Sequence, residues 1–567
     1  MHAPARLADL GRRQKQHVGP RPSGDRHLLV PPAQQRLAPR RPASCRALAE
    51  QLHPQQQPQQ QTQQQQSPEQ QQPQLPQSPQ SPQQTPPQQH PQWSFGRRAA
   101  LHDAAGRLML KNLTLPELEE WCASVGERRP AARARQVWRW LYSDGAWAAS
   151  LEETLGRQNG LSAAFCAAAG AVASVDGGLL LDSVARAADG TRKLVFKLTE
   201  GPGAGASIEA VLIPMAHRRG ERNHVTLCVS SQVGCAMACQ FCFTGRMGLL
   251  ADLSTAQIVE QVRRRRRRRG GPLARRPAGG AARARARPAA DPARPPRQMV
   301  VACRVLAAEP GGASIANVVF MVRRPAASAA RPTARLPGAA AGPAPPPRRA
   351  APRRAQGMGE PLANFDAVMA AVAIMTHPLG LHVSHNKLTV STVGLVAPLE
   401  RFATSGSNVQ LALSLHATTD EVRDWIVPTN KAAGGLSALM GALRRHYAHG
   451  NAAGRRVLVE FTMLAGVNDT PDDARRLVAL LEGIEAKVNL IMFNPFAGTR
   501  FRPSPMEAVL AFRSVLVGAG RICTIRDSRG DDSMAACGQL GNLIDSARSP
   551  PLLPVPPAFE AVLAPPA

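Results

Sequence analysis

The sequence predicts an α/β protein: a partial (β/α) barrel of six parallel strands behind a small N-terminal helical accessory domain, with disordered N-terminal and internal segments. Three observations predict it. Apolar runs of strand length alternate with helical windows from Thr226 onward, polar residues gather at the ends of those runs, and long tracts between them carry no apolar periodicity.

Residues 1–109 read as disordered. Within them, 51–92 are almost entirely Gln, Pro and Ser, which bury too little apolar surface to offset the cost of ordering a backbone. The first fifty residues hold ten Arg or Lys against three acidic residues, a balance shared by organellar transit segments and by plain unstructured tails. The expected location is therefore chloroplast or mitochondrion, otherwise cytoplasm. The accessory domain is placed at 110–200. A helix over Leu115–Cys122 takes Thr114 as cap and Pro116 in its first turn, where a missing amide costs nothing. A second, Ala132–Tyr142, presents Val137, Trp138 and Leu141 on one face and arginines on the other. Lys193–Leu198 and Ile208–Pro214 read as a pair of strands.

The main domain, 201–545, begins with a strand over Thr226–Val233 that ends in a turn at Gly234. Ser254 caps the helix that follows. Strands are predicted at Ala316–Met321, Lys387–Thr392, Val409–Leu415, Val457–Met463 and Lys487–Phe493, with a helix at Pro471–Leu481. Ser391, Ser414, His416, Thr462 and Asn494 fall at strand ends, where such folds keep their chemistry. Residues 546–567 read as a C-terminal tail.

The formal charge of +29 is unevenly distributed. The first fifty residues contribute +7, the stretch 263–298 contributes +13 and 322–354 contributes +8, which leaves about +1 for everything else. Both internal stretches are Ala, Pro, Arg and Gly and predict no packed element. No run approaches the length of a membrane span, so no membrane partner is expected. Ten cysteines in 567 residues do not make a disulfide framework, and free thiols fit a reducing compartment.

Three of those thiols carry the chemistry. Cys235, Cys239 and Cys242, spaced Cys-x3-Cys-x2-Cys, supply three soft ligands in one loop, which suits a [4Fe-4S] cluster with one iron left open. A zinc site is the alternative. A cluster loop between strand and helix at the mouth of a barrel is the radical S-adenosylmethionine (SAM) arrangement.

With Cys228-Val-Ser-Ser-Gln-Val-Gly-Cys before the loop, Gly357-Met-Gly-Glu-Pro, Ser414-Leu-His-Ala, Asn494-Pro-Phe, and Arg529-Gly-Asp-Asp leading to Ala536-Cys-Gly-Gln-Leu, the chain resembles the dual-specificity RNA adenine C2 methyltransferases over about residues 110–545. The resemblance implies a partial (β/α)6 radical SAM barrel, one [4Fe-4S] cluster on Cys235, Cys239 and Cys242, and two SAM molecules per turnover. One SAM methylates Cys537, and a second, cleaved at the open iron, yields the radical that activates that S-methyl group for addition to adenine C2. Cys537 then carries the carbon, Cys228 releases the product by forming a disulfide with it, and Glu209 is the candidate base for the C2 proton. Gly359, Glu360, Ser391, Ser414, His416 and Asn494 match positions expected to hold SAM. Implied partners are large-subunit rRNA and tRNA, and an electron donor such as flavodoxin or ferredoxin, with the chain acting as a monomer. Two other readings stand beside this one: a C8 adenine methyltransferase, and an inactive Arg-rich RNA-binding protein. The inserts 263–298 and 322–356 depart from the family pattern, and their composition reads as retained noncoding sequence or, alternatively, as RNA-binding arms. The second separates a strand from Gly357-Met-Gly-Glu-Pro and is expected to displace Glu360 from the cluster loop.

Overall fold

The computed structural model describes residues 98, 101–143, 148–215, 224–262, 314–320, 358–496, 498–526 and 550–563, all within one compact unit, Gln89–Ala567. The expectation of disorder over 1–109 is corrected at its end: residues 98 and 101–109 are described, and Leu108 and Met109 are buried in a strand. Residues 1–97, both Arg-rich inserts, Gly357, Arg529 and Cys537 lie outside the described residues.

The N-terminal part comprises β1 (Leu108–Met109), α1 (Leu115–Ser124), α2 (Pro130–Tyr142), α3 (Ala163–Val172) and β2 (Ala173–Ser174), with β1 and β2 paired in parallel. Thr114 caps α1 as expected: Glu117 reaches back to accept from the Thr114 backbone N–H at 2.7 Å. Val137, Trp138 and Leu141 of α2 are buried. Arg133 is taken up internally, paired with Glu127 at 3.1 Å and lying 4.7 Å over the Phe165 ring, which leaves Arg135 and Arg139 exposed on that helix.

The remaining elements follow in order: β3 (Leu179–Arg186), β4 (Arg192–Leu198), β5 (Ser207–Pro214), β6 (His224–Val229), β7 (Gln232–Gly234), β8 (Leu249–Asp252), α4 (Thr255–Glu260) and β9 (Ser314–Phe320). Then come α5 (Phe365–Thr376), β10 (Leu388–Thr392), α6 (Val396–Thr404), β11 (Gln410–Ser414), α7 (Asp420–Ile426) and α8 (Gly435–His446). Last are β12 (Val457–Met463), α9 (Pro471–Leu480), β13 (Ala486–Met492), α10 (Met506–Gly518), β14 (Ile522–Arg526) and α11 (Pro557–Leu563).

Ten strands form one mixed sheet in the order β14-β13-β12-β11-β10-β9-β6-β5-β4-β3. The six strands expected to run parallel do so, and β14 adds a seventh. The pair β4 and β5, with β3, continues the same sheet in antiparallel fashion. The arrangement is consistent with a partial (β/α) barrel whose described strands leave β3 and β14 as edges. The segment predicted as one strand to Gly234 is two: β6 stops at Val229 and β7 pairs with β8 as a hairpin that brackets the cysteine loop.

Alternation along each strand sorts the two faces of the sheet. Leu227, Val229, Leu388, Val390, Leu411, Leu413, Val459, Phe461, Val488 and Leu490 join the helices in the main apolar core. The residues between them, Glu209, Cys228, Ser391, Ser414 and Thr462 among them, fall on the opposite face. Candidate site residues from five strands therefore share one surface. No described helix is long and apolar enough to cross a membrane.

Candidate active site

The cysteine loop leaves β7 at Gly234, and its first thiol is fixed early: the Cys235 N–H donates to the Gly248 carbonyl at 2.9 Å, across the β7–β8 hairpin. Within the loop the Cys242 N–H donates to the Cys239 carbonyl at 3.0 Å, and the Gly245 N–H points at Cys242 Sγ at 3.4 Å. All three thiols are buried and share an apolar cluster with Met237, Phe241, Trp425, Ile426 and Phe493. Burial, then the neighbouring Cys242, pushes the Cys235 thiol well up, so without a bound cation it stays protonated. Among the described residues no three His, Cys, Asp or Glu side chains gather as ligands of a single ion would. A [4Fe-4S] cube does not require that, because each thiolate binds its own iron. The donor set and its dry surroundings fit such a cluster better than zinc, for which the described residues offer no fourth ligand.

Met358, Gly359 and Glu360 are fastened to the chain just before this loop. The Ser231 N–H donates to the Met358 carbonyl at 2.7 Å, and the Glu360 N–H donates to Gln232 Oε1 at 2.7 Å. Asn364 Nδ2 donates to the carbonyls of Ser231 and Leu253, each at 2.8 Å. The expected displacement of Glu360 is thus corrected: its place is set by contacts to β7, β8 and the end of β10, none of which passes through the insert. Gly359 has φ +80°, and a Cβ there would overlap the Gln232 side chain that holds Glu360. Gly359→Ala is expected to cost about 2–4 kcal/mol from backbone strain and overpacking, read as a fall in the urea midpoint of the chain.

Glu360 is fully buried, and its two oxygens accept from the N–H groups of Leu362 at 3.1 Å and Val393 at 2.9 Å. The Thr392 hydroxyl also hydrogen-bonds to it, and a carboxylate has about four lone-pair sites, so room for a further donor is left. No cationic side chain pairs with it among the described residues. Burial consequently pushes its pKa up to about 7, against the lowering effect of the Val393 N–H. Unfolded, the group titrates near 4.5. Between those values the folded chain binds the extra proton, so its stability falls as pH rises through that window. The stability advantage of wild type over Glu360→Gln, measured by urea unfolding of the cluster-free chain from pH 5 to pH 8, is expected to shrink with rising pH.

The other strand ends complete the mouth. Ser391 on β10 and Thr462 on β12 are buried, and Ser391 Oγ and Thr462 Oγ1 have no hydrogen-bond partner among the described residues. Buried hydroxyls left in that state cost on the order of 1–3 kcal/mol each, which a polar ligand would recover. Ser414 ends β11, and two residues on, His416 adopts φ +69°. That left-handed backbone is imposed from outside: Asn468 Nδ2 donates to the His416 carbonyl at 2.7 Å, and the imidazole meets the Phe241 ring edge-on at 5.4 Å. Asn494, buried, follows β13. Cys228 on β6 lies opposite Val211 of β5 and packs with it and Met358. Glu209, fully buried on the same face of β5, stands 3.5 Å from Lys193 Nζ. Cys537, the predicted partner of Cys228, lies outside the described residues.

No family model matches the chain. A dual-specificity RNA methyltransferase RlmN of Geobacter sulfurreducens is 35% identical over 439 residues, covering 77% of this chain and 93% of that protein. The protein of the same description from Syntrophobacter fumaroxidans is 36% identical over 436 residues and is covered to 97%. This chain belongs to the RlmN family. A crystal structure of a radical SAM methyltransferase from Sphaerobacter thermophilus, 31% identical, superposes with a TM-score of 0.54 and is covered to 98%. The strand-end residues described above therefore sit on a radical-SAM-like α/β fold.

RlmN membership does not by itself point to the groups that fasten the site. Arg423, buried on α7, donates to the Leu415 carbonyl at 2.9 Å, to the Val393 carbonyl and to Asn430 Oδ1. It ties the ends of β10 and β11 together beside Cys239, and burial lowers its pKa to about 10. The signal for it in sequence is faint: a charged residue at a buried phase of Asp420–Ile426. Gln232 and Asn364 gave no signal, because their partners are distant in the chain.

Proposed function

We propose that this chain is a SAM-dependent RNA methyltransferase of the radical SAM type that adds a methyl group to C2 of adenosine in rRNA and tRNA. One observation carries the reading: three buried thiols in the loop after β7 stand beside a buried carboxylate that pairs with no cation among the described residues, and two buried hydroxyls with no partner among those residues lie at the carboxyl ends of β10 and β12.

Cys235, Cys239 and Cys242 would hold a [4Fe-4S] cluster, which supplies an open iron and the single electron needed to make a carbon radical from SAM. Glu360 accepts from the methionyl ammonium, which converts its buried carboxyl to a compensated carboxylate. The backbone at Gly359, the hydroxyls of Ser391 and Ser414, Asn494 and the strained His416 position the rest of SAM, with water excluded by the apolar cluster around the thiols.

Cys537 carries the carbon to be transferred. Cys228 resolves the adduct by bonding to the Cys537 sulfur as that sulfur's bond to the transferred carbon breaks and the carbon takes a proton to become the methyl group, which requires the two Cβ atoms to come within about 3.8 Å. Glu209 takes the C2 proton, with Lys193 Nζ standing 3.5 Å from it. An electropositive face at Arg135 and Arg139 would contact phosphate, while the target adenine must leave its stack to enter the mouth. Flavodoxin or ferredoxin would deliver the electron.

The test is nucleoside analysis of rRNA and tRNA after anaerobic incubation of the reconstituted protein with SAM and a reductant. The reading expects 2-methyladenosine. Finding 8-methyladenosine instead would move the chain to the C8 type, and no methylated nucleoside at all would favour the inactive RNA-binding reading.

A further inference from the structure

Residues 550–563 read as a tail in sequence, yet their apolar positions are patterned. Leu553 and Val555 are two apart, as on one face of an extended segment, and Phe559 and Leu563 are four apart, as on one face of α11. Those four are the residues that pack against the apolar cluster containing Cys235, Cys239 and Cys242.

The contact is specific on both its apolar and polar sides. Phe559 stacks on Trp425 with centroids 5.3 Å apart and planes 12° apart, and Trp425 leans on Phe501 at 5.3 Å. Gln240, between the second and third cysteines, accepts through Oε1 from the Leu553 N–H at 2.8 Å and from Arg500 Nη2 at 3.0 Å. Arg500 Nη2 also donates to the Leu553 carbonyl at 2.6 Å, and Arg502 Nη2 to the Val562 carbonyl at 3.0 Å. At Gly466, with φ +66°, a Cβ would overlap Val562, so the close approach of α11 depends on that glycine.

We propose that residues 550–563 form a strap that seals the cysteine loop from solvent, and that retention of whatever the three thiols bind depends on it. The inference rests on the reading of the triplet as cluster ligands. An extended segment and two helical turns would not hold their shape alone. Their order comes from the loop they cover, and the loop's protection comes from them.

The experiment measures N-ethylmaleimide labelling of each cysteine in the cluster-free full chain, resolved by peptide mass, in wild type, in Phe559→Ala and in a chain ended after Ser549. Cys239 and Cys242 are expected to label about tenfold faster in both variants, as local opening requires. Cys122 and Cys166, buried in the N-terminal part, are expected to keep their wild-type rates. Unchanged rates at Cys239 and Cys242 in both variants would overturn the proposal. So would an equal acceleration at Cys122 and Cys166 in Phe559→Ala, which would mean general loosening. Iron uptake by the wild-type chain separates the two layers: no iron bound, with the labelling contrast intact, supports the strap and rejects the cluster reading.

Discussion

Alanine in place of any one of Cys235, Cys239 or Cys242 is expected to give a chain that folds but binds no stable cluster and forms no methylated adenosine above background. Burial raises the pKa of the Cys235 thiol, and each of the three thiols is small and packed among apolar groups. Its loss should therefore cost only about 1 kcal/mol of stability. The functional loss is of another order, because two thiolates cannot hold a cube of which a third corner is already given to SAM. The check is iron and sulfide content with visible absorbance after anaerobic reconstitution, beside a urea unfolding curve. Retained absorbance in any of the three variants would remove that cysteine from the ligand set.

Cys537→Ala and Cys228→Ala are expected to fail in different ways. Without Cys537 no methyl group reaches the protein and no product forms. Without Cys228 the methyl group still reaches Cys537 and adds to RNA, but the sulfur link is not broken, so the RNA stays attached to the protein and migrates with it on a denaturing gel. Cys228 packs with Val211 and Met358 on β6, so shortening it costs about 1–2 kcal/mol and leaves the sheet register intact. Identical behaviour of the two variants would contradict the division of labour between carrier and resolving thiol.

What the sequence disclosed follows from the range of the interactions involved. The helices at Leu115–Ser124 and Pro130–Tyr142, the parallel strands and the loop of three cysteines declare themselves through local periodicity, caps and ligand spacing. β14 escaped because Ile522–Arg526 is short and ends on a charge, and the junction of β5 with β6 escaped because sheet continuity is a tertiary property. The insert before Gly357 predicts displacement of Glu360 only if adjacency in the chain sets its position. Gln232, from well before it in the chain, and the Val393 N–H, from more than thirty residues after it, supply that position instead, while Asn364 ties the same turn to Ser231 and Leu253. The strap was missed for the same reason: a proline-rich end looks like a tail until Trp425 and Gln240 are placed beside it.

Function requires the triplet and the carrier thiol Cys537 to work in one site. That requirement is tested most directly by measuring 5′-deoxyadenosine and methylated adenosine in the same anaerobic reaction of the reconstituted chain with SAM, a reductant and RNA. Both are expected to form in wild type, and Cys537→Ala is expected to abolish the methylated adenosine. Methylated adenosine formed without 5′-deoxyadenosine, or formed undiminished by Cys537→Ala, would contradict it.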